Sequence, residues 1–474
     1  MIRKAVPGIM LTLLFIGMLT LAYYIQSVKA ERTWTVDDDG PADFHTIQEA
    51  INNANEGDTI YVKNGTYYEN VIMNKSNLTL VGENKEDTII DGGGGGSVVR
   101  INANNILVSG FTMQGSGISL DSFSNENNIS GNIIRNYHGA GIYLSGSDHN
   151  IIEYNMFTSF SYSTGISLDS GSDYNVIRWC IIANSEYGIK LGFSSYNTIN
   201  DNNLVNNTQA GIYLKESIGN TIGRSNLTNN RCGIYLDTSG SNVIRGNTIA
   251  KSDWLGIYIY GSGGNIIYNN DFINNSEQVY SSAFENMWDN SCLLGGNYWN
   301  DYVGVDTKSG YYQDQLGSDG MGDIPFIIDV SNRDRFPLMA PINIFDIGVW
   351  DGEPREVHVI SDSKVSNFQL NAMEKAISVN VTGADGTASF CRITMPNIII
   401  QDLWQGNYTI LLSGEPWPFR NWTDSTNTYI YINYTHSEHE IVIVPEFLSF
   451  LILTMFMMAT LATAIVYKGR KDAA

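Results

Sequence analysis

From about residue 117 to 260 the chain alternates apolar and polar positions every second residue, inside a longer and nearly constant period. Aligning on the glycine of each Gly-Ile pair gives Gly117, Gly141, Gly165, Gly188, Gly211, Gly233 and Gly256, at steps of 24, 24, 23, 23, 22 and 23 residues. After these glycines, Ile142 and Leu144, Ile166 and Leu168, Ile189 and Leu191, Ile212 and Leu214, and Ile234 and Leu236 face one side of a strand. The residues between them face the other. Strand-like patterning at this period predicts a solenoid, in which each repeat covers the apolar face of its neighbour.

A second signal lies nine or ten residues after each glycine, at Asn127, Asn150, Asn175, Asn197, Asn220, Asn242 and Asn265. Five residues further on stand Asn132, Asn155, Asn202, Asn247 and Asn270, with Cys180 and Ser225 replacing asparagine in two repeats. Stacked asparagines pass amide hydrogen bonds between coils about 4.8 Å apart. They also tolerate left-handed backbone, so both columns are expected at corners and to supply the sharp bend themselves. A leucine-rich repeat has an overlapping period but carries helical stretches and more leucine. The Ile, Val, Tyr, Gly and Asn of these repeats indicate strands between turns, hence a parallel β-helix.

The segment 33–92, "TWTVDDDGPADFHTIQEAINNANEGDTIYVKNGTYYENVIMNKSNLTLVGENKEDTIIDG", resembles the opening of pectin-lyase-like right-handed β-helices. In those proteins a short helix, here 44–54, caps the first coil. The Asn-rich repeats, followed by "GNYWNDY" (296–302) and "GSDGMGDIPFIID" (317–329), resemble the NosD-type subgroup. The resemblance spans about 33–337 and implies a right-handed coil. Beyond it, 341–444 holds short strands and turns without the repeat, as expected of an immunoglobulin-like β-sandwich. The expected fold class is therefore all-β: a parallel β-helix over 31–337, with its N-terminal cap, then a sandwich over 341–444.

The two ends add a compartment. Arg3 and Lys4 precede an apolar run to about Ile25 and a small-residue site at Ala30, which reads as a secretory signal or an uncleaved anchor over 1–30. Residues 448–467 carry no charge and are followed by "KGRK", the pattern of a transmembrane helix with a cytoplasmic end. The segment 445–474 resembles archaeal PEF-type sorting signals, which implies cleavage near Pro445–Phe447. This places 31–445 at the cell surface, where eleven Asn-x-Ser/Thr sequons permit glycosylation. With 49 acidic against 27 basic residues, net −22, the chain lacks the basic footprint that nucleic acid requires. Four scattered cysteines exclude a CxxC zinc site.

Candidate chemistry lies on the outward positions. One column reads Ser119, Tyr143, Ser167, Lys190, Tyr213, Tyr235 and Tyr258; two residues on come Asp121, Ser145, Asp169, Gly192, Lys215, Asp237 and Tyr260. Rings beside carboxylates suit a polysaccharide or cell-envelope glycan, with Tyr143, Tyr213, Tyr235, Tyr258, Lys215 and Asp121 as contacts. Cross-coil packing of tyrosines accounts for the same pattern without a ligand. Lyase or hydrolase chemistry would draw on Lys190, Asp169 and Asp237. The downstream segments that hold the catalytic carboxylates of pectin methylesterases are not recognised. Asp306, Asp314, Asp319 and Asp323, in a glycine-rich stretch, are candidate Ca²⁺ ligands or an acidic loop that closes the last coil. The histidines and methionines show no copper-binding spacing. The leading expectation is a membrane-anchored, non-catalytic glycan-binding or envelope protein. The alternatives are a polysaccharide lyase or glycoside hydrolase, and a NosD-like accessory factor for metal or substrate delivery.

Overall fold

A computed structural model describes residues 31–135, 138–158, 162–282, 284–310 and 312–446. The two terminal apolar runs lie outside the described residues, as does most of the sorting-signal segment. Among the described residues no helix is long and apolar enough to cross a membrane.

Each repeat forms one coil of three short strands, as in Ile151–Glu153, Met156–Thr158 and Thr164–Asp169. Stacked in parallel, the coils build three sheets of 11, 11 and 10 strands, here the first, second and third. The result is a right-handed parallel β-helix whose interior holds the expected columns: Ile142, Ile166, Ile189, Ile212 and Ile234 are fully buried. Helix Ile47–Asn53 buries Ile47, Ala50 and Ile51 over the first coil. Its free N-terminal amides are satisfied by Glu69, which accepts from Ile47 N at 2.8 Å and Gln48 N at 2.9 Å.

The Gly-Ile pair has a steric cause. In the third sheet the register runs Ala140↔Thr164 and then Ile142↔Ile166, passing over the glycine. A Cβ on Gly188 would sit 2.5 Å from Gly211 O, and one on Gly165 would sit 2.4 Å from Ile182 Cγ2 in the core. The backbones approach too closely for any side chain.

The asparagine ladders run inside the wall. Asn220 donates to Asn242 Oδ1 from its backbone N at 2.8 Å and from Nδ2 at 3.1 Å, and neighbouring coils repeat the pattern. The bend, however, is one residue earlier than expected. Backbone φ is +58° at His149, +57° at Tyr174 and +57° at Tyr196, each just before a ladder asparagine. The amide has to face inward to meet the next coil, so the left-handed position falls to the exposed residue that precedes it. A third ladder was not anticipated: Ser147, Ser172, Ser194, Ser217, Ser239 and Ser262 are buried, each backbone N donating to the next Oγ at 2.7–3.2 Å.

The last coil is closed by residues 329–336. Asn332 Oδ1 accepts from Asn286 N (2.9 Å) and Asp334 Oδ2 accepts from Asn297 N (2.7 Å), so each asparagine ladder ends on a side chain of this segment.

Residues 342–445 form two antiparallel five-stranded sheets. One runs Ile342–Trp350, Glu353–Ser361, Ala388–Pro396, Asn427–Thr435, Arg420–Thr423. The other runs Lys364–Asn371, Ala376–Thr382, Glu438–Pro445, Tyr408–Leu412, Glu415–Pro416. Val359, Val379, Ile393, Ile410 and Ile443 belong to their shared core. The immunoglobulin expectation needs correction. In that fold the third strand lies beside the sixth, whereas here the third, Lys364–Asn371, is an edge strand paired with the fourth alone. Helix Asn397–Trp404 also packs its Ile399, Ile400, Leu403 and Trp404 into this core, where only strands were expected.

The module is bonded to the coil. Fully buried Arg392 donates to Asp319 O at 2.6 Å and to Leu293 O, and Ile342 N donates to Asp271 Oδ1 at 3.0 Å. Higher up, Arg224 and Arg245 from successive coils both bond Glu356.

Candidate functional site

The outward column of the third sheet is in register from coil to coil: Ser119, Tyr143, Ser167, Lys190, Tyr213, Tyr235, Tyr258 and, one coil further than anticipated, Tyr280. Tyr213, Tyr235, Tyr258 and Tyr280 form a continuous aromatic ladder with ring centroids 4.8, 4.7 and 5.1 Å apart. Tyr187 extends it at 5.2 Å, and Trp254 joins Tyr258 from the side at 5.0 Å. The rings cover Ala210, Cys232 and Leu255, which are buried on the outer side of the sheet. They are thus partly a lid over their own sheet and partly a surface.

The neighbouring column aligns Lys215 with Asp237 and Asp237 with Tyr260. Tyr213 Oη donates to Asp237 Oδ2 at 3.2 Å. Burial and then the Asp237 carboxylate push the Tyr213 hydroxyl well above its ordinary range, and Tyr235 is raised to about 12 for the same reasons. Both therefore remain neutral hydroxyls; the Tyr213 proton is engaged by Asp237, and that of Tyr235 can be donated to a ligand. Lys215 and Tyr260 are exposed beside them.

Tyr143 and Asp121 stand apart from this ladder, because Ser167 and Lys190 interrupt the rings. They belong to the earlier coils. Asp121 is held there by Arg100, whose Nε donates to its Oδ2 at 2.7 Å. An open groove of about 580 Å³ on these coils is lined by Tyr143, Ser167, Asp169, Glu186 and Lys190, with Tyr162 and His138 at its edge. Lys190 Nζ lies 5.6 Å from the Tyr187 ring centroid, so this lysine sits between groove and ladder. Asp237, two coils away, is not part of the groove lining, and the three residues singled out for catalysis do not form one set. Glu186 and Tyr162 were missed because they lie in connections with no repeat pattern.

The four candidate calcium ligands do not converge: no three of them bring carboxylate oxygens within 4.8 Å of one another. Asp306 accepts from Asp319 N and Gly320 N, Asp319 from Gln313 Nε2 and Met321 N, and Asp323 from Thr307 and Lys308. The oxygens of Asp306, Asp319 and Asp323 are occupied in closing the loop.

The family described as "Periplasmic copper-binding protein (NosD)" matches residues 160–304, and "Pectinesterase" matches residues 33–162. No curated protein matches the chain. Similar solved structures include XylC with xylose (14% identity, TM-score 0.43, 51% of this chain and 69% of that one). The periplasmic alginate epimerase AlgG gives 15% identity and a TM-score of 0.34, over 49% and 69%. The Dettilon tailspike protein gives 11% and 0.41, over 84% and 89%.

The donor set does not fit copper. Among the described residues the sole group of three clustered candidate ligands is Asp37, Asp38 and Asp39, which are oxygen donors. The four cysteines are buried, and burial raises every thiol above its usual range. By its repeat, its cap and these two family matches, the chain is a NosD-like and pectin-lyase-like right-handed parallel β-helix, followed by an antiparallel two-sheet module.

Proposed function

We propose that this is a non-catalytic carbohydrate-binding protein of the cell envelope, which lays a glycan chain along the outer face of its third sheet. The observation that carries this reading is the in-register ladder Tyr213–Tyr235–Tyr258–Tyr280, flanked by the exposed Lys215 and Tyr260. A row of rings at the coil spacing offers apolar platforms with donor tips, which match the flat faces and hydroxyls of linked sugars. The net charge of −22 favours neutral sugars on this face over polyanions. The terminal apolar segments 1–30 and 445–474 are read as leader and membrane anchor, which puts the coil outside the cell.

Glycan-array binding with Tyr260→Ala tests the reading, because Tyr260 is 53% exposed and its loss leaves the lid over Cys232 in place. Binding is expected to weaken about tenfold, the effect of one aromatic anchor. Equal binding by parent and variant on every glycan that the parent retains overturns the proposed face.

A second reading has its own observation: Asp169, Glu186 and Lys190 share one open groove with Tyr143. A lyase or glycosidase needs such groups to converge. Cleavage of any polysaccharide by the parent, abolished by Lys190→Ala, would put the enzyme ahead of the binding protein.

A further inference from the structure

Four arginines of this acidic chain, Arg178, Arg224, Arg245 and Arg355, line a cleft of about 650 Å³ between the first sheet and the antiparallel module, away from both sites. Val176, Thr198 and Asn200 line the coil side, and Pro354, Arg355 and Glu356 line the module side. Arg178 is spent on Glu153, Arg224 on Asp201 and Glu356, and Arg245 on Glu356. Arg355 has no such partner among the described residues, and its Nε is buried without a hydrogen bond to any of them.

Buried side-chain polar atoms without a partner are rare in folded chains. Among the described residues there are eight, and two of them line this cleft. One is the donor Arg355 Nε and the other is the acceptor Asn200 Oδ1. Beside them Trp179 presents a ring that is 39% exposed, held by stacking on Tyr154 at 4.8 Å and by the Arg178 guanidinium at 4.3 Å. Donor, acceptor and flat apolar platform thus meet in one concave place.

We propose that this cleft is a second binding site, which takes an anionic sugar unit of a glycan: a carboxylate or sulfate against Arg355, a hydroxyl donating to Asn200 Oδ1, and the sugar face on Trp179. A guanidinium matches either anion, with paired N–H donors. The amide oxygen requires a donor, which a bare inorganic anion lacks and a sugar hydroxyl supplies. The site stands independently of the third-sheet face, since the two share no residue.

The test is calorimetric titration of the full chain with three probes: an oligogalacturonate, a sulfated chondroitin oligosaccharide, and a neutral xylo-oligosaccharide. The expected result is that one or both anionic probes bind, that added salt weakens them, and that Arg355→Gln and Trp179→Ala each lose about tenfold or more. Which anionic probe binds identifies the anion. Tyr260→Ala is expected to leave this binding unchanged, which separates the cleft from the proposed face. Should Arg355→Gln fail to melt like the parent, Trp179→Ala and Asn200→Ala carry the test. Absence of anionic-probe binding, or anionic-probe binding indifferent to Trp179→Ala and Asn200→Ala, overturns the proposal.

Discussion

Asn220 shows what one repeated residue does. Its Oδ1 accepts from Asn197 N at 2.8 Å and Asn197 Nδ2 at 3.2 Å, while its own Nδ2 reaches Ser194 O, Ile218 O and Asn242 Oδ1. Truncation strands the Asn197 N donor and takes a donor away from Ser194 O and Ile218 O, in a site with no water access. Each unmet buried group costs about 1–3 kcal/mol, so Asn220→Ala is expected to lose about 2–5 kcal/mol in urea unfolding. Asn220→Ser should cost less, because Ser225 already accepts from Asn202 N through Oγ at 3.2 Å in the adjacent column. A loss no larger than that of an exposed Asn226→Ala control would mean that the ladder is decoration. The asparagines' stacking was legible in the sequence, since amides at a constant period have few other uses. Their backbone geometry was not: the left-handed residue is His149, Tyr174 or Tyr196, types whose propensity gives no hint of it.

At the scale of elements, periodicity revealed the coil and its inward and outward faces because strand alternation is a local property. The cap, expected over 44–54 from the resemblance alone, is Ile47–Asn53 in the structure. Within the sandwich expected over 341–444 the strands at 342–371 are the least clearly patterned, because Ile342–Trp350 and Lys364–Asn371 keep much of their length half-exposed, which blurs the alternation. One strand carries a deliberate break in its pattern. Asp271 opens Asp271–Ile273 and is wholly buried, with Ile342 N as its hydrogen-bond donor. Burial raises its carboxyl to about 8 from an ordinary 3.8. The folded chain therefore keeps a proton there that the unfolded chain releases above about pH 4. The stabilising contribution is complete below the unfolded value and is lost as pH rises through about 8. Asp271→Asn keeps the acceptor and cannot ionise. Its stability relative to the parent is expected to grow from pH 5 to pH 8 and then level off. A constant difference across that range would place the carboxylate in its ionised form throughout.

For the whole molecule, the question is whether coil and module act as one body, and no local pattern foretold an answer. Glu356 lies more than a hundred residues from Arg224 and Arg245, yet it receives both, with His358 Nε2 at 3.3 Å from its Oε2. The carboxyl is held well below the usual carboxylate range by His358 and Arg245 against the cost of burial. Two guanidiniums from successive coils on one carboxylate form a network rather than a lone surface pair, the situation in which ion pairs contribute measurably. A double-mutant cycle of Arg245→Met and Glu356→Gln is expected to give a coupling on the order of 1–3 kcal/mol. The cleft that holds Arg355 is framed by the same bonds, so a loosened clamp should widen it. Arg245→Met is accordingly predicted to weaken anionic-glycan binding although Arg245 is already paired with Glu356, with the loss appearing as faster release. Zero coupling in the cycle, together with unchanged release, would mean that Arg392 and the Ile342–Asp271 bond hold the module alone and that the cleft is shaped without Glu356.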